Sequence, residues 1–219
     1  MSGRLTALEA DGARRLRNES FFSAPQLKRD PLGGALGAIS RGPMAFKFEL
    51  AHLLDYTDWE RAQWHAWFRE QGPPALAVDL GPNGNGRVNT IGELVRHIFS
   101  AEQRYVDRVV GAPLTDPAAV PTEDVEALFA FGQQGRESLR ALLATFPTER
   151  WDVPQQIQVG KHSRSVTPRK LIVQAVTHEI RHWAQVATLL RMSGRKPGPR
   201  DFLVSPVFDQ PERAPAPSD

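Results

Sequence analysis

The stretch PRKLIVQAVTHEIRHWAQVATLLRM, Pro168–Met192, decides the fold. Thr167 before it offers a hydroxyl to the unpaired N–H groups of a first helical turn, and Pro168 lacks the N–H that such a turn leaves free. Gly194, followed by Pro197 and Pro199, ends the run. Between these signals Leu171, Ala175, His178, His182, Gln185 and Leu189 recur at three- and four-residue spacing and so share one helical face. A helix with such a face is stable only when other elements cover it.

Three further runs upstream can supply that cover. From 46 to 71, FKFELAHLLDYTDWERAQWHAWFREQ places Leu50, Leu53, Leu54, Thr57, Arg61, Trp64 and Phe68 on one face, with Trp67 widening it and Trp59 further round. Gly72-Pro73-Pro74 stops it. The second run opens at Thr90 with Glu93 three residues on, a capping-box pattern, and reaches about Val110 with Leu94, Ile98, Ala101, Tyr105 and Val109 inward. The third begins near Thr122 and carries Val125, Leu128, Phe129, Gly132, Leu139, Leu142 and Leu143 up to Phe146-Pro147. Residues 151–166 alternate enough for an extended or hairpin connection. The fold class that follows is all-α, a four-helix bundle.

The ends differ from the bundle. Residues 1–43 show no sustained period and contain the loop-like PLGGALGAISRGP, so they are expected to be a disordered extension or a docking arm, and Met44 is a candidate natural start. The bundle domain is expected over 44–208. DFLVSPVF (201–208) is apolar enough to pack on the bundle or on a partner subunit, and 209–219 reads as a disordered tail.

Charge and composition exclude several classes of function. The chain is 41% apolar and 24% charged with a net charge of +2. Residues 1–43 alone are +3, with seven Lys/Arg against four acids, so the rest is −1 and offers no basic face for nucleic acid. No run of about 18 apolar residues is present, so no membrane span is expected, and without an export signal the cytoplasm is the expected compartment. There is no cysteine, so disulfides, thiolate ligands and a protein thiol nucleophile are excluded. Any metal site must use imidazole and oxygen.

His178 and His182 stand one turn apart on one face, and such a pair either shares a metal or hydrogen-bonds to solvent or carboxylates. The segment HEIRH also matches H-E-x-x-H, in which Glu179 would be the general base of a metal-dependent hydrolase. No histidine follows His182 to complete such a site, and Asp201 and Asp209 sit in a Pro-rich tail. His97 faces inward with Glu93, Leu94, Ala101 and Tyr105, either as a core histidine or as a third ligand from a second helix. Three protein ligands with a position left open are the pattern of a reactive metal. His52, His65 and His162 read as surface, packing or solvated residues. Arg191, Arg195 and Lys196 suit the negative end of the last helix. The cluster Trp59, Trp64, Trp67 and Phe68 reads as core or subunit interface.

The segments LLDYTDWERAQWHAWF, ELVRHIFSAE and THEIRHWAQVATLLRMSG together resemble the DinB-like (damage-inducible) family over about residues 44–208. The resemblance implies one divalent metal ion on His97, His178 and His182, zinc or nickel first and manganese or iron next. It also implies a homodimer and, by analogy with active relatives, a transferase that joins a small-molecule thiol to an electrophile. Glu93, Glu102, Tyr105, Glu179 and Gln185 are candidates to orient an imidazole or a bound water, with Glu93 and Gln185 favoured by helical geometry. The alternatives are hydrolysis with Glu179 as base, or a non-catalytic stress-response or binding protein whose metal staples two helices.

Overall fold

A computed structural model describes residues 47–83, 88–159 and 161–209. The expectations for residues 1–43, for Met44 and for 210–219 lie outside the described residues. Four long helices run as α1 Leu50–Gln71, α3 Ile91–Val110, α4 Val125–Thr145 and α5 Pro168–Met192. A short α2, Pro73–Leu76, follows the stop at Gly72 and was not expected; two prolines in its first turn suit a helix start, where their missing N–H groups are not needed.

The caps fix where each helix begins. Thr90 Oγ1 accepts from Glu93 N, and Thr167 Oγ accepts from Lys170 N, each at 3.2 Å. Helix α4 starts later than Thr122 because Asp124 is the residue that caps it, accepting from Ala127 N. Helix α1 starts at Leu50 and not at 46, because Glu49 and His52 cap each other there: His52 Nδ1 accepts from Glu49 N at 2.9 Å. The connection after α4 is an antiparallel hairpin of β1 Gln155–Val159 and β2 His162–Val166, with Gln155 opposite Val166.

Helix α3 packs against both α4 and α5, and α1 covers the other side of the same pair. The core has two apolar clusters. One gathers Trp64, Phe68, Phe99, Phe129 and Trp183, with Trp64 and Trp183 stacked at 5.3 Å. The other gathers Leu54, Val106, Leu139, Leu171 and Val176. Trp64 and Phe68 are therefore core, while Trp59 and Trp67 remain half-buried.

Between the clusters lies a layer of charge. Along α1 Arg61 falls between Leu54 and Trp64; along α3 Glu102 falls between Phe99 and Val106. Arg136 on α4 and Glu179 on α5 occupy the matching positions, and all four are buried. Arg61 grips Glu179 with two nitrogens, the longer contact being 2.8 Å, and Arg136 Nη2 reaches Glu179 Oε2 at 2.7 Å. Both arginines also meet Glu102 Oε2, at 3.0 and 3.1 Å. Arg61 donates to the Gly132 carbonyl and Arg136 to Thr57 Oγ1, each at 3.0 Å. This network ties all four long helices together at one level.

The segment after α5 packs on α1 and not on empty space. Tyr56 donates its hydroxyl to the Arg200 carbonyl at 2.8 Å, Phe202 lies against Tyr56, and Phe208 against His52. Among the described residues no helix is long and apolar enough to cross a membrane.

Candidate metal centre

Helix α5 presents three different faces. At about 100° per residue, Glu179, Trp183, Val186 and Leu190 point into the core, whereas His178, His182 and Gln185 lie about a quarter-turn or more away. They look across the groove to α3, where His97 stands. All three histidines are half-buried. The ring centroids of His178 and His182 are 4.2 Å apart, and His97 lies 5.0 and 5.1 Å from them. One nitrogen from each of the three can be chosen so that all lie within 4.8 Å of one another, a grouping that could hold a metal ion.

Geometry and protonation both suit ligation. Two imidazole nitrogens about 2.0–2.1 Å from a zinc-sized ion, at an angle near 90–110°, stand about 2.9–3.4 Å apart. The Nε2 atoms of His178 and His182 are 3.0 Å apart. The Nδ1 atom of His182 lies 2.8 Å from Gln185 Oε1. Since that oxygen only accepts, the contact selects the tautomer with the proton on Nδ1, the one that offers Nε2 to a metal. Burial, then the neighbouring His182 and His97, push the pKa of His178 down to about 3. Burial, then His182 and Arg104, lower His97 as well. Both imidazoles are thus held neutral, the form that binds metal.

The site is accessible. His178, Arg181, His182 and Gln185 line a cleft of about 460 Å³. The Tyr105 ring stands edge-on to His178 at 6.4 Å.

Of the five candidates to orient the site, only Gln185 bonds to a triad nitrogen. Glu93, expected to serve equally, instead accepts from Asn89 N at 2.6 Å and caps α3. Glu102 and Glu179 belong to the charged layer. For Glu179 this corrects the hydrolase expectation. Its carboxylate accepts from Arg61, Arg136 and Trp183 Nε1, and although burial raises its pKa, Arg61 and Arg136 outweigh that and hold it low. A general base must reach the proton it takes, and Glu179 faces the core.

The remaining histidines do not join. His52 caps α1, His65 stacks on Phe129 at 4.4 Å and faces Glu126, and His162 is exposed in β2. Two arginines had roles that the sequence reading missed. Arg181 lines the cleft beside the triad, and Arg136 sits in the core. Arg136 lies three residues before Leu139 and four after Gly132, an inward position that could have marked it.

The sequence profile of the DinB family matches residues 44–213. No curated protein matches the chain.

Proposed function

The chain belongs to the DinB family, and from that premise we propose a metal-dependent enzyme that transfers a low-molecular-weight thiol to an electrophile, using a divalent ion on His97, His178 and His182. The observation that carries this reading is the composition of the site. Three imidazoles, those of His97 and His178 held neutral, converge beside a cleft, and among the described residues the group contains no fourth side chain that would close it. Structural zinc sites use four protein ligands, while reactive ones keep a position for solvent or substrate.

A divalent ion held there would lower the pKa of an incoming thiol and so supply the nucleophile that this cysteine-free chain lacks. Zinc and nickel suit an all-imidazole set best, with manganese or iron next. The protein's own part is to hold and orient. Gln185 sets the tautomer of His182, and the charged layer fixes the rotation of α5 that aims both of its histidines at α3. In the transfer the thiol proton leaves to solvent, the sulfur forms a bond to the electrophilic carbon, and the leaving group departs with its electron pair. The half-buried Trp59 and Trp67 on α1 support a homodimer through that helix. Sedimentation of Trp67→Ala tests that part, and an unchanged dimer would count against it.

The test is metal content by elemental mass spectrometry, on tag-free wild type and on His97→Ala, His178→Ala and His182→Ala. Near-stoichiometric metal lost in each variant is the expected result, followed by thiol-dependent turnover when small thiols and electrophiles are screened. Metal that is present but admits no exogenous ligand would favour a helix staple. Wild type that stays metal-free after loading with zinc, nickel or manganese would end the proposal.

A further inference from the structure

The acids of α3 and α5 are all engaged away from the three histidines. Glu93 accepts from Asn89 N, Glu102 and Glu179 belong to the charged layer, and the buried Asp107 accepts from Gln103 Nε2 and Thr115 N, each at 2.8 Å. The same two helices carry Arg104 and Arg181, and among the described residues neither meets a carboxylate. Five other arginines do: Arg61, Arg69, Arg136, Arg140 and Arg169. The positive charge beside the histidines is thus left unmatched.

Both arginines are placed to reach the histidine cleft. Arg181 follows His178 by three residues, about one turn, and lines the cleft of about 460 Å³ with His178, His182 and Gln185. Arg104 follows His97 by seven residues, so it shares that face of α3, about 10 Å further along. Helical side chains lean toward the N-terminus of their helix, which carries the Arg104 guanidinium back toward His97. The electrostatics agree. After burial and His182, the charge of Arg104 is the next influence that lowers the pKa of His97. Arg181 acts in the same way on His178, after burial and the other two imidazoles.

Building on the thiol-transfer reading above, we propose that Arg181 and Arg104 select a small mercapto acid as the thiol, its carboxylate held by the two guanidiniums while its sulfur lies at the three histidines. Imidazole ligands are neutral, so a divalent ion that has taken up one thiolate remains positive, and the two arginines add to that excess. A second negative group on the same molecule offsets it. Arginine suits a carboxylate in particular, because its planar fork matches the two oxygens. A cationic thiol is repelled by the same pair, and a neutral one leaves both guanidiniums without a partner.

The test is isothermal titration calorimetry on the full chain loaded with zinc, with no electrophile present. Three thiols of similar size serve as probes: 3-mercaptopropionate (anion), 2-mercaptoethanol (neutral) and cysteamine (cation), with propionate as the carboxylate that lacks sulfur. The expected result is that 3-mercaptopropionate binds about tenfold more tightly than 2-mercaptoethanol, as one charged hydrogen bond predicts, and that cysteamine and propionate bind more weakly than 3-mercaptopropionate. Arg181→Gln and Arg104→Gln each keep their zinc and shrink this preference, losing affinity for 3-mercaptopropionate but not for 2-mercaptoethanol. Arg181 is exposed, so its replacement leaves the core intact. A preference that survives both substitutions comes from the carboxylate chelating the ion, and it overturns the proposal. Equal binding of the three thiols overturns it too and leaves thiol transfer standing. Propionate that binds as tightly as 3-mercaptopropionate does the same, since the carboxylate then belongs to the electrophile. A chain that takes up no zinc, or zinc that takes none of the thiols, ends the thiol-transfer reading and this proposal with it.

Discussion

The Nε2 atoms of His178 and His182 face each other at 3.0 Å, and the opposite nitrogen of His182 is tied to Gln185 Oε1 at 2.8 Å. Two turns of helix thus supply two candidate ligand nitrogens and the group that orients one of them. Loss of such an orienting partner typically lowers metal affinity about 10–100-fold. Gln185→Leu is therefore expected to bind zinc about 10–100-fold more weakly in chelator competition while unfolding like wild type, since Gln185 is exposed. Unaltered affinity would show that the His182 ring is held by packing alone.

Glu179 is next to His178 in sequence yet belongs to the core, and its substitution should behave accordingly. Removing one partner of a buried ion pair costs about 3–5 kcal/mol, because the other charge is left buried and uncompensated. Glu179→Ala leaves Arg61 and Arg136 sharing Glu102 as their one fully buried carboxylate, so one buried positive charge is uncompensated and urea unfolding is expected to show a loss of that order. A Glu179→Ala chain as stable as wild type, but inactive, would restore Glu179 to the role of a base.

The contrast between Glu179 and its neighbours shows how far the sequence could be read. The four long helices were legible because each apolar series is bracketed by local signals, such as Thr90 with Glu93 and Thr167 with Pro168. The triad was legible because i, i+4 spacing fixes a shared face for His178 and His182, and an inward His97 needed only a facing helix. Partner choice was not. Glu93 lies one turn from His97 but turns back to the open N–H of Asn89, because a helix start also demands acceptors. HEIRH looks like a metalloprotease motif only while the rotation of α5 is unknown, and that rotation is set by Arg61 and Arg136, 118 and 43 residues away. Contacts made at that distance leave no local trace.

Gly132 tests how tightly the charged layer and the aromatic cluster are joined. Its carbonyl accepts from Arg61, and a Cβ added to it would fall 2.7 Å from the Phe99 ring. Overpacking of this kind costs about 1–3 kcal/mol. Gly132→Ala is expected to lower the melting temperature, and Gly132→Ala with Phe99→Leu to recover part of that loss by vacating the ring. Equal melting temperatures for Gly132→Ala and wild type would mean that α3 and α4 separate easily.

Glu60 gives a pH signature free of the histidines. Burial, then the charge of Glu179, raise its pKa from 4.5 to about 7, against the weaker lowering by Trp64, Arg200 and Tyr56. The folded state therefore holds a proton that the unfolded chain releases between about pH 4.5 and 7, and stability must fall as pH rises through that window. The contribution is fully present below the lower value and gone above the upper one. At 1.36 kcal/mol per unit the loss amounts to about 3 kcal/mol. Glu60→Gln removes the proton and keeps the shape, so wild type minus variant isolates this group from every other titration. Urea unfolding at intervals from pH 4.5 to 8 is expected to show that difference turning against wild type as pH rises. A difference that stays flat would mean that Glu60 is solvated in the folded chain, and one that moves in wild type's favour would mean that its carboxylate has a partner there.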